Sequence, residues 1–188
     1  MVQTARQQSY PWTTDAHGAP VTLRLLQPSD QETLLEFARS LPADDLLFLS
    51  VDITQPEAVA HWVRENAAGR LYTILVESEG KLLGHGSLLH NNLQWTRHLG
   101  EIMLLLAPEA RGRRLGYLLA RELLTLAREL GLRKMVARVA TEQHGARQVL
   151  EKNGFRAEAL LADFVIDRLD RTHDLVVMTY DVTGFTDE

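Results

Sequence analysis

The sequence predicts an α/β fold with about seven strands and four helices, and three observations lead to it. The chain has 188 residues, of which 45% are hydrophobic, so it is long enough to bury one globular core. Apolar residues alternate in short runs typical of strands and recur at three- and four-residue spacing in runs typical of helices. Glycine and proline separate the runs, whose order is β-α-α-β-β-β-α-β-α-β-β. We expect one domain at residues 21–182, preceded by an arm or hairpin at 1–20 and followed by a tail at 183–188.

Two helices follow the first strand, which is predicted at residues 21–26. Ser29 and Glu32 have the spacing of a capping box, in which two side chains bond free amides at a helix start. Thr54 and Glu57 repeat this spacing before the second helix. That helix presents one apolar face, formed by Val59, Trp62 and Val63.

The second half of the chain alternates strands and helices. Two strands at 71–76 and 81–89 are joined by a turn over residues 78–80, and a third strand is predicted at 99–106. A helix that ends at Gly131 carries an apolar stripe of leucines at positions Leu115, Leu118, Leu119, Leu123, Leu126 and Leu130. The remaining segments are a strand at 135–140, a helix at 144–153, and two strands at 155–167 and 174–181.

Composition excludes several classes of chemistry. The chain contains no cysteine, so disulfides, thiolate metal sites and cysteine nucleophiles are excluded. Its histidines include no pair in a convincing metal-ligand context, and we expect no metal. The N-terminal segment lacks the apolar core of a signal peptide, and no apolar run approaches the roughly 18 residues that a membrane span requires. We therefore expect a cytoplasmic protein without membrane contact.

Charge is distributed unevenly along the chain, whose net charge is −5. Residues 111–138 contain eight basic side chains against two acidic ones. Acidic residues outnumber basic ones by eight to three in residues 1–60 and by nine to four in residues 151–188. The basic segment is short and lacks interleaved aromatic residues, so nucleic-acid binding is not expected. A basic middle with acidic flanks favours an anionic cofactor and a cationic second substrate, although a solvated helix face explains part of the pattern.

The most informative segment is residues 99–119, LGEIMLLLAPEARGRRLGYLL. An apolar strand ends before Pro108, and a short Gly/Arg loop leads directly into a leucine-rich helix. The first amides of a helix have no partner inside it and lie at the positive end of its dipole, so they favour an anion such as phosphate. Gly112 and Gly116 allow a ligand to approach the backbone closely. Charge for a polyanionic ligand comes from Arg111, Arg113 and Arg114.

This segment resembles the coenzyme-A-binding motif of the GCN5-related N-acetyltransferase (GNAT) superfamily. The motif reads Arg or Gln, two residues, Gly, one residue, then Gly or Ala, and Arg111 and Gly116 match it. Arg114 stands where the family usually has its first Gly. The predicted order of elements also resembles the family fold from about residue 21 to about residue 182.

A second resemblance lies in the helix at 144–153 and the residues around it. The family commonly reads Asn, two residues, Ala, and later Leu-Tyr-Glu-Lys, any residue, Gly-Phe; the matching residues here are Ala146, Glu151, Lys152, Gly154 and Phe155. Gln143 replaces the Asn, and Leu150 replaces the Tyr that many members use as general acid toward the departing thiolate. The final strand, from His173, and the segment Asp15–Gly18 also resemble bacterial members of the family.

The resemblance implies a GNAT fold, with a mixed, mostly antiparallel sheet of about seven strands flanked by about four helices. It implies an N-acetyltransferase that moves an acetyl group from acetyl-CoA to a primary amine by direct attack in a ternary complex. The coenzyme A contacts that it implies are Leu104, Leu105, Leu106, Arg111, Gly112, Arg113, Arg114, Leu115, Gly116 and Gln143. Glu101 matches the strand position from which histone-acetylating members project a general base; the alternative is an ordinary solvent-facing strand Glu, since many members deprotonate the amine through ordered water and other polar groups.

Several alternatives stay open at this point. The acceptor is either a small amine or a protein lysine or N-terminus, and a homodimer is compatible with the sequence. A non-catalytic acyl-CoA-binding regulatory module is the alternative function, because Leu150 cannot donate a proton; an α/β interaction domain without CoA is a third. His144, at a helix start, is the one histidine that is a candidate for a role. Trp62 is expected in the core, and Trp95 is a candidate for the acceptor side.

Overall fold

A computed structural model of the chain describes residues 10–16, 18–46, 49, 51–91, 93–167 and 169–184. The arm expected at 1–20 and the tail expected at 183–188 are therefore described only in part. His17, in the segment that resembles the hairpin of bacterial relatives, lies outside the described residues.

Eight strands and five α-helices make up the described part of the chain. The strands are β1 (Trp12–Asp15), β2 (Pro20–Leu25), β3 (Leu71–Ser78), β4 (Lys81–His90), β5 (Leu99–Leu106), β6 (Lys134–Ala140), β7 (Arg156–Ile166) and β8 (Thr172–Asp181). The helices are α1 (Gln31–Ser40), α2 (Ala43–Leu46), α3 (Pro56–Ala67), α4 (Leu115–Glu129) and α5 (His144–Lys152). Short 3-10 helices lie at Pro28–Asp30 and Pro108–Ala110.

The strands form one sheet in the order β1-β2-β3-β4-β5-β6-β8-β7. Neighbouring strands run antiparallel except β5 and β6, which are parallel. This confirms the mixed, mostly antiparallel α/β fold. The sheet has one strand more than the predicted seven because β1 pairs with β2 as a hairpin. A fifth helix, α2, is a single turn that follows α1.

Helices cover both faces of the sheet. α1 and α3 pack on one face and α4 packs on the other. A Cβ on Gly86 of β4 would lie 3.2 Å from Leu119, which shows that Gly86 faces α4. The ring of His85 instead packs against Trp62 of α3, with centroids 5.5 Å apart. Because side chains alternate along a strand, Ser87 shares the α1/α3 face with His85.

The leucine stripe of α4 forms much of the core on its side of the sheet. Its buried members are Leu115, Leu119, Leu123 and Leu126, and its partly buried members are Leu118 and Leu130. The helix ends near Gly131, whose φ of +70° favours glycine. In the part of the chain that the structure describes, no helix is long and apolar enough to cross a membrane.

The capping box predicted at Ser29 and Glu32 is wrong. Ser29 lies inside the 3-10 helix that precedes α1, so it is not at a helix cap. The local hydrogen bond comes from the carboxylate of Asp30, which accepts the backbone N–H of Gln27 at 2.7 Å.

The capping box predicted at Thr54 and Glu57 is also wrong. The Thr54 hydroxyl donates to Asp52 at 2.6 Å, and α3 starts at Pro56 without a side-chain cap. Proline at the first helical position has no N–H, so one of the amides that a cap would satisfy is missing.

Candidate active site

The parallel strands β5 and β6 separate part-way along their length. Leu99–Glu101 pair with Lys134–Val136, and beyond these residues the register between the two strands does not continue in the described chain. β5 nevertheless runs on for five residues to Leu106, and β6 runs on to Ala140. We call the resulting gap between the two strands the wedge. Glu101 lies at its narrow end.

Two backbone amides of β5 face the wedge. Ala107 donates its N–H to Leu83, just before the paired part of β4, at 2.9 Å. Because N–H groups alternate between the two edges of a strand, the N–H of Leu105 also points toward β4. The N–H groups of Leu104 and Leu106 therefore point into the wedge. Coenzyme A contacts are expected at Leu104, Leu105 and Leu106. The backbone N–H groups of two of them, Leu104 and Leu106, point into the wedge, and that of Leu105 does not.

The wide end of the wedge meets the loop that leads into α4. Gly112 and Arg114 both adopt left-handed backbone conformations, with φ of +75° and +62°. Arg114 directly precedes α4 and stands where the family usually has glycine, the residue that adopts this conformation without strain. The first turn of α4 begins with Leu115 and Gly116, which both line the same cleft as Glu101. Its free amides and the helix dipole make this a favourable place for an anion.

Gly116 also brings two helices together. A Cβ at this position would lie 3.3 Å from Val149 of α5 and 3.5 Å from Leu106 of β5. A larger side chain would push α4 away from both neighbours. Glycine at this position therefore serves helix packing as well as access for a ligand.

A cleft of about 1680 Å³ joins the wedge to the loop. The residues expected from the sequence that line it are Glu101, Leu104, Leu105, Leu106, Arg111, Gly112, Arg114, Leu115, Gly116 and Gln143. Arg113 is the exception. Its guanidinium donates to the carbonyl oxygen of Ala16 at 3.2 Å, so Arg113 supports the turn between β1 and β2 rather than the cleft.

Arg111 is already paired within the chain. Its Nη2 lies 2.5 Å from Oδ2 of Asp45 on α2, close enough for an ion pair but outside hydrogen-bond alignment. The same Nη2 donates to the carbonyl oxygen of Leu106 at 3.2 Å. A phosphate bound at the loop would therefore meet an arginine that is held in place and partly neutralised by a carboxylate.

Glu101 faces a guanidinium across the wedge. Its side chain is 35% exposed, and its Oε1 lies 3.6 Å from Nη1 of Arg138 on β6. No motif in the sequence singles out Arg138. Its position in a basic segment was visible, but its place at the narrow end follows only from where the pairing of β5 and β6 stops.

The far wall of the cleft is formed at the start of α5. Gln143 precedes the helix, and its side-chain oxygen accepts the N–H of Ala140 at 3.0 Å, which fixes the turn after β6. His144 begins α5 and lines the cleft. Glu142, which no motif in the sequence marks either, lines the cleft and binds Nδ1 of His173 at 2.8 Å.

His173 lies between two carboxylates. Besides the contact with Glu142, its Nε2 is 3.1 Å from Oδ2 of Asp167. These hydrogen bonds to Glu142 and Asp167 raise the pKa of His173. The pair of contacts ties the turn between β7 and β8 to Glu142, in the turn between β6 and α5.

Leu150 is buried and lines the cleft, at the position where the resemblance implies a tyrosine. Its apolar side chain can neither donate nor accept a proton. The chain therefore offers no acid at this position.

A buried polar chain lies beneath the cleft. The indole N–H of Trp62 donates to Thr73 at 3.0 Å, and the Thr73 hydroxyl is 3.1 Å from that of Ser87. Ser87 lines the cleft and lies 3.2 Å from Nδ1 of His85. Burial lowers the pKa of His85 to about 4. Trp62 is thus part of the core, whereas Trp95 is 84% exposed and lies outside this cleft.

The chain belongs to the acetyltransferase (GNAT) family, whose model matches residues 32–155. Comparison with curated protein sequences gives no match.

Solved structures of acetyltransferases share the fold. The putative acetyltransferase yncA from Salmonella typhimurium, solved with acetyl-CoA, has a TM-score of 0.76 and 18% identity, covering 89% of this chain and 97% of that one. Ribosomal-protein-alanine N-acetyltransferase from Brucella melitensis has a TM-score of 0.75 and 20% identity, covering 85% and 98%. Spermidine N-acetyltransferase from Vibrio cholerae, solved with CoA and spermine, has a TM-score of 0.72 and 20% identity, covering 87% and 96%.

Proposed function

We propose that this acetyltransferase takes the acetyl group from acetyl-CoA and transfers it to a primary amine, by direct attack of the amine on the thioester in a ternary complex. The observation that carries the proposal is the wedge between β5 and β6, with an anion-binding loop at its wide end and Glu101 at its narrow end. The Salmonella neighbour with acetyl-CoA and the Vibrio neighbour with CoA support the choice of donor.

The described residues fit such a donor along its whole length. The amides at the start of α4 and the guanidinium groups of Arg111 and Arg114 suit the phosphates. The N–H groups of Leu104 and Leu106 can pair with the amides of the pantetheine arm, much as an added strand pairs with an open sheet edge. This arrangement directs the thioester toward the narrow end of the wedge.

Glu101 is the candidate base. Attack forms a bond between the amine nitrogen and the carbonyl carbon, and the C–S bond breaks with its electron pair staying on sulfur. The proton of the attacking amine passes to Glu101, directly or through one water molecule. Backbone N–H groups of β5 stabilise the charge that develops on the carbonyl oxygen. A thiol has an unperturbed pKa of about 8.5, so sulfur can leave as thiolate although Leu150 supplies no proton.

The acceptor is a small amine or an amine on a protein. The Vibrio neighbour is named for spermidine and the Brucella neighbour for a ribosomal protein, so the shared fold is compatible with both. The choice depends on the groups that surround Glu101.

A regulatory module that binds acyl-CoA without catalysis is the alternative. The buried, apolar Leu150 favours it, because the family's usual acid is missing at that position. The two functions share donor binding and differ in turnover.

A thermal-shift series followed by an amine screen separates them. Acetyl-CoA at a hundredfold excess over its dissociation constant should stabilise the fold by about 2.7 kcal/mol, and unrelated nucleotides should not. An enzyme then releases free thiol only when an amine is present. Stabilisation without thiol release from any amine would favour the regulatory module, and the absence of stabilisation by CoA or acetyl-CoA would overturn both.

A further inference from the structure

Arg138 stands beside Glu101 in the cleft. It lies on β6 two residues beyond Val136, which pairs with Glu101. Residues paired across a sheet share a face, and so do residues two apart on one strand, so Arg138 and Glu101 point to the same side. Ser87, diagonal to Glu101 on β4, shares this side too.

The Arg138 guanidinium is held only loosely by the chain. It is 57% exposed and lines the cleft, and its Nη1 lies 3.6 Å from Oε1 of Glu101, which is beyond hydrogen-bonding distance. Among the residues that the structure describes, none forms a hydrogen bond with its side chain. Arg111 differs, because both Asp45 and the Leu106 carbonyl hold it. Arg138 thus has five N–H donors in a planar fork available to a ligand.

We propose that Arg138 binds a carboxylate on the acceptor, and that the acceptor is a small zwitterionic amine of the α-amino-acid class. The proposal rests on the acetyl transfer proposed above. Glu101 and Arg138 present a negative and a positive group side by side to the same cleft. An amine and a carboxylate joined through one carbon atom match both groups at once. The fork of Arg138 suits a carboxylate because two parallel N–H···O bonds can form.

The other acceptor classes fit these two groups less well. A polyamine carries further positive charges, which the guanidinium of Arg138 would repel. A lysine side chain of a protein has no carboxylate beside its amine, so Arg138 would stay without a partner. The adjacent Glu101 and Arg138 therefore favour a small amine over an amine on a protein, and among small amines they favour α-amino acids.

Acetylation kinetics with a matched set of amines test the proposal. The set contains an α-amino acid, its carboxamide, the corresponding decarboxylated amine and spermidine. Wild type should prefer the amino acid over the carboxamide and the decarboxylated amine. Arg138→Gln should raise KM for the amino acid by about 10- to 100-fold and leave KM for the two analogues that lack the carboxylate within about threefold, because a charged hydrogen bond is lost only for the carboxylate.

Two further variants sharpen the test. Arg138→Lys keeps the charge but not the fork, so its KM for the amino acid should lie between those of wild type and Arg138→Gln. Arg147→Gln is the control, because Arg147 pairs with Glu151 on α5 and does not line the cleft. It should behave as wild type on every amine.

Three results would overturn the proposal. If wild type acetylates the decarboxylated amine or spermidine with the same kcat/KM as the amino acid, the cleft has no carboxylate site. An equal fall in kcat for all amines in Arg138→Gln would assign Arg138 to the reacting thioester or to Glu101 instead of the acceptor. If no amine is acetylated, the proposed transfer fails, and calorimetric titration of the amino acid into the CoA-saturated protein decides about Arg138. Binding that Arg138→Gln abolishes supports the site, and absent binding refutes it.

Discussion

Arg114 holds a backbone conformation that costs an arginine free energy. Its φ of +62° brings Cβ too close to the following carbonyl group, a strain that glycine avoids. We expect Arg114→Gly to raise the free energy of unfolding by about 1 kcal/mol, measured by urea denaturation. Arg113→Gly is the control: its φ is outside the left-handed region and its side chain bonds Ala16, so this change should lower stability. A loss of stability in both variants would contradict the assignment of strain to Arg114.

The role of Glu101 as general base can be tested directly by mutation. If it removes the amine proton, Glu101→Gln should lower kcat by about 10²–10⁴ and leave the dissociation constant of CoA nearly unchanged. The loss should be partly recovered at high pH, where more of the amine is already free of its proton. Steady-state rates across a pH series, with CoA binding measured by calorimetry, check both parts. Activity within threefold of wild type would remove Glu101 from the mechanism.

Individual site residues were predictable to different degrees. The coenzyme A loop could be found because glycine, arginine and a helix start are adjacent in the sequence. Arg138 could not be found in this way, because its contact with Glu101 depends on the pairing of β5 with β6. These strands are distant in the sequence, and they separate after three paired residues. Arg113 is predicted to contact coenzyme A because it is adjacent to the other loop residues, yet its side chain turns toward Ala16.

At the scale of elements, Gly116 gives α4 two properties: close packing against α5 and an unobstructed first turn for a ligand. Gly116→Val should abolish the stabilisation by acetyl-CoA, because the side chain would obstruct the start of α4. It should also lower the stability of the unliganded fold, because even a Cβ at this position would lie 3.3 Å from Val149 and valine adds two methyl groups beyond it. Thermal melts with and without acetyl-CoA measure both effects.

Ala120→Val is the matched control for that variant. Ala120 is buried on α4 and does not line the cleft, so a larger side chain there should also lower the stability of the unliganded fold. This variant should keep its response to acetyl-CoA. A Gly116→Val protein that still responds in full would show that the donor does not bind at the start of α4.

Elements were easier to predict than their ends and their pairing. The leucine stripe of α4 was visible because burial on one face imposes a helical period on the sequence. Both capping boxes failed because spacing alone cannot show whether a serine or threonine has a better partner nearby, as Thr54 has in Asp52. The wedge could be expected only from the family resemblance, since nothing in β5 or β6 alone marks where they separate.

The stability of the whole molecule should depend on pH through two histidines with opposite effects. An unfolded histidine titrates near 6.5, whereas burial lowers the pKa of His85 to about 4. Between these values the unfolded chain binds a proton that the folded chain does not, so stability should fall as the pH falls from about 6.5 to about 4. His173 has a raised pKa, so the stability that it adds is present below about 6.5 and lost as the pH rises through its folded value.

Urea denaturation across a pH series separates the two contributions. His85→Gln should flatten the dependence between about pH 4.5 and 6.5 even if it lowers stability overall. His173→Gln should leave that range unchanged and alter the dependence only above it. An unchanged acid-side slope in His85→Gln would show that another group is responsible.

The central claim for the whole molecule is that the wedge brings acetyl-CoA and an amine together for transfer. Thiol release from acetyl-CoA with an amine panel, together with mass analysis of the acetylated product, tests it most directly in wild type and in Leu150→Tyr. We predict that wild type releases thiol only in the presence of an amine, forms the matching amide, and differs from Leu150→Tyr by less than tenfold. A wild type that binds acetyl-CoA but acetylates no amine, beside an active Leu150→Tyr, would contradict the account and identify a binding module that has lost catalysis.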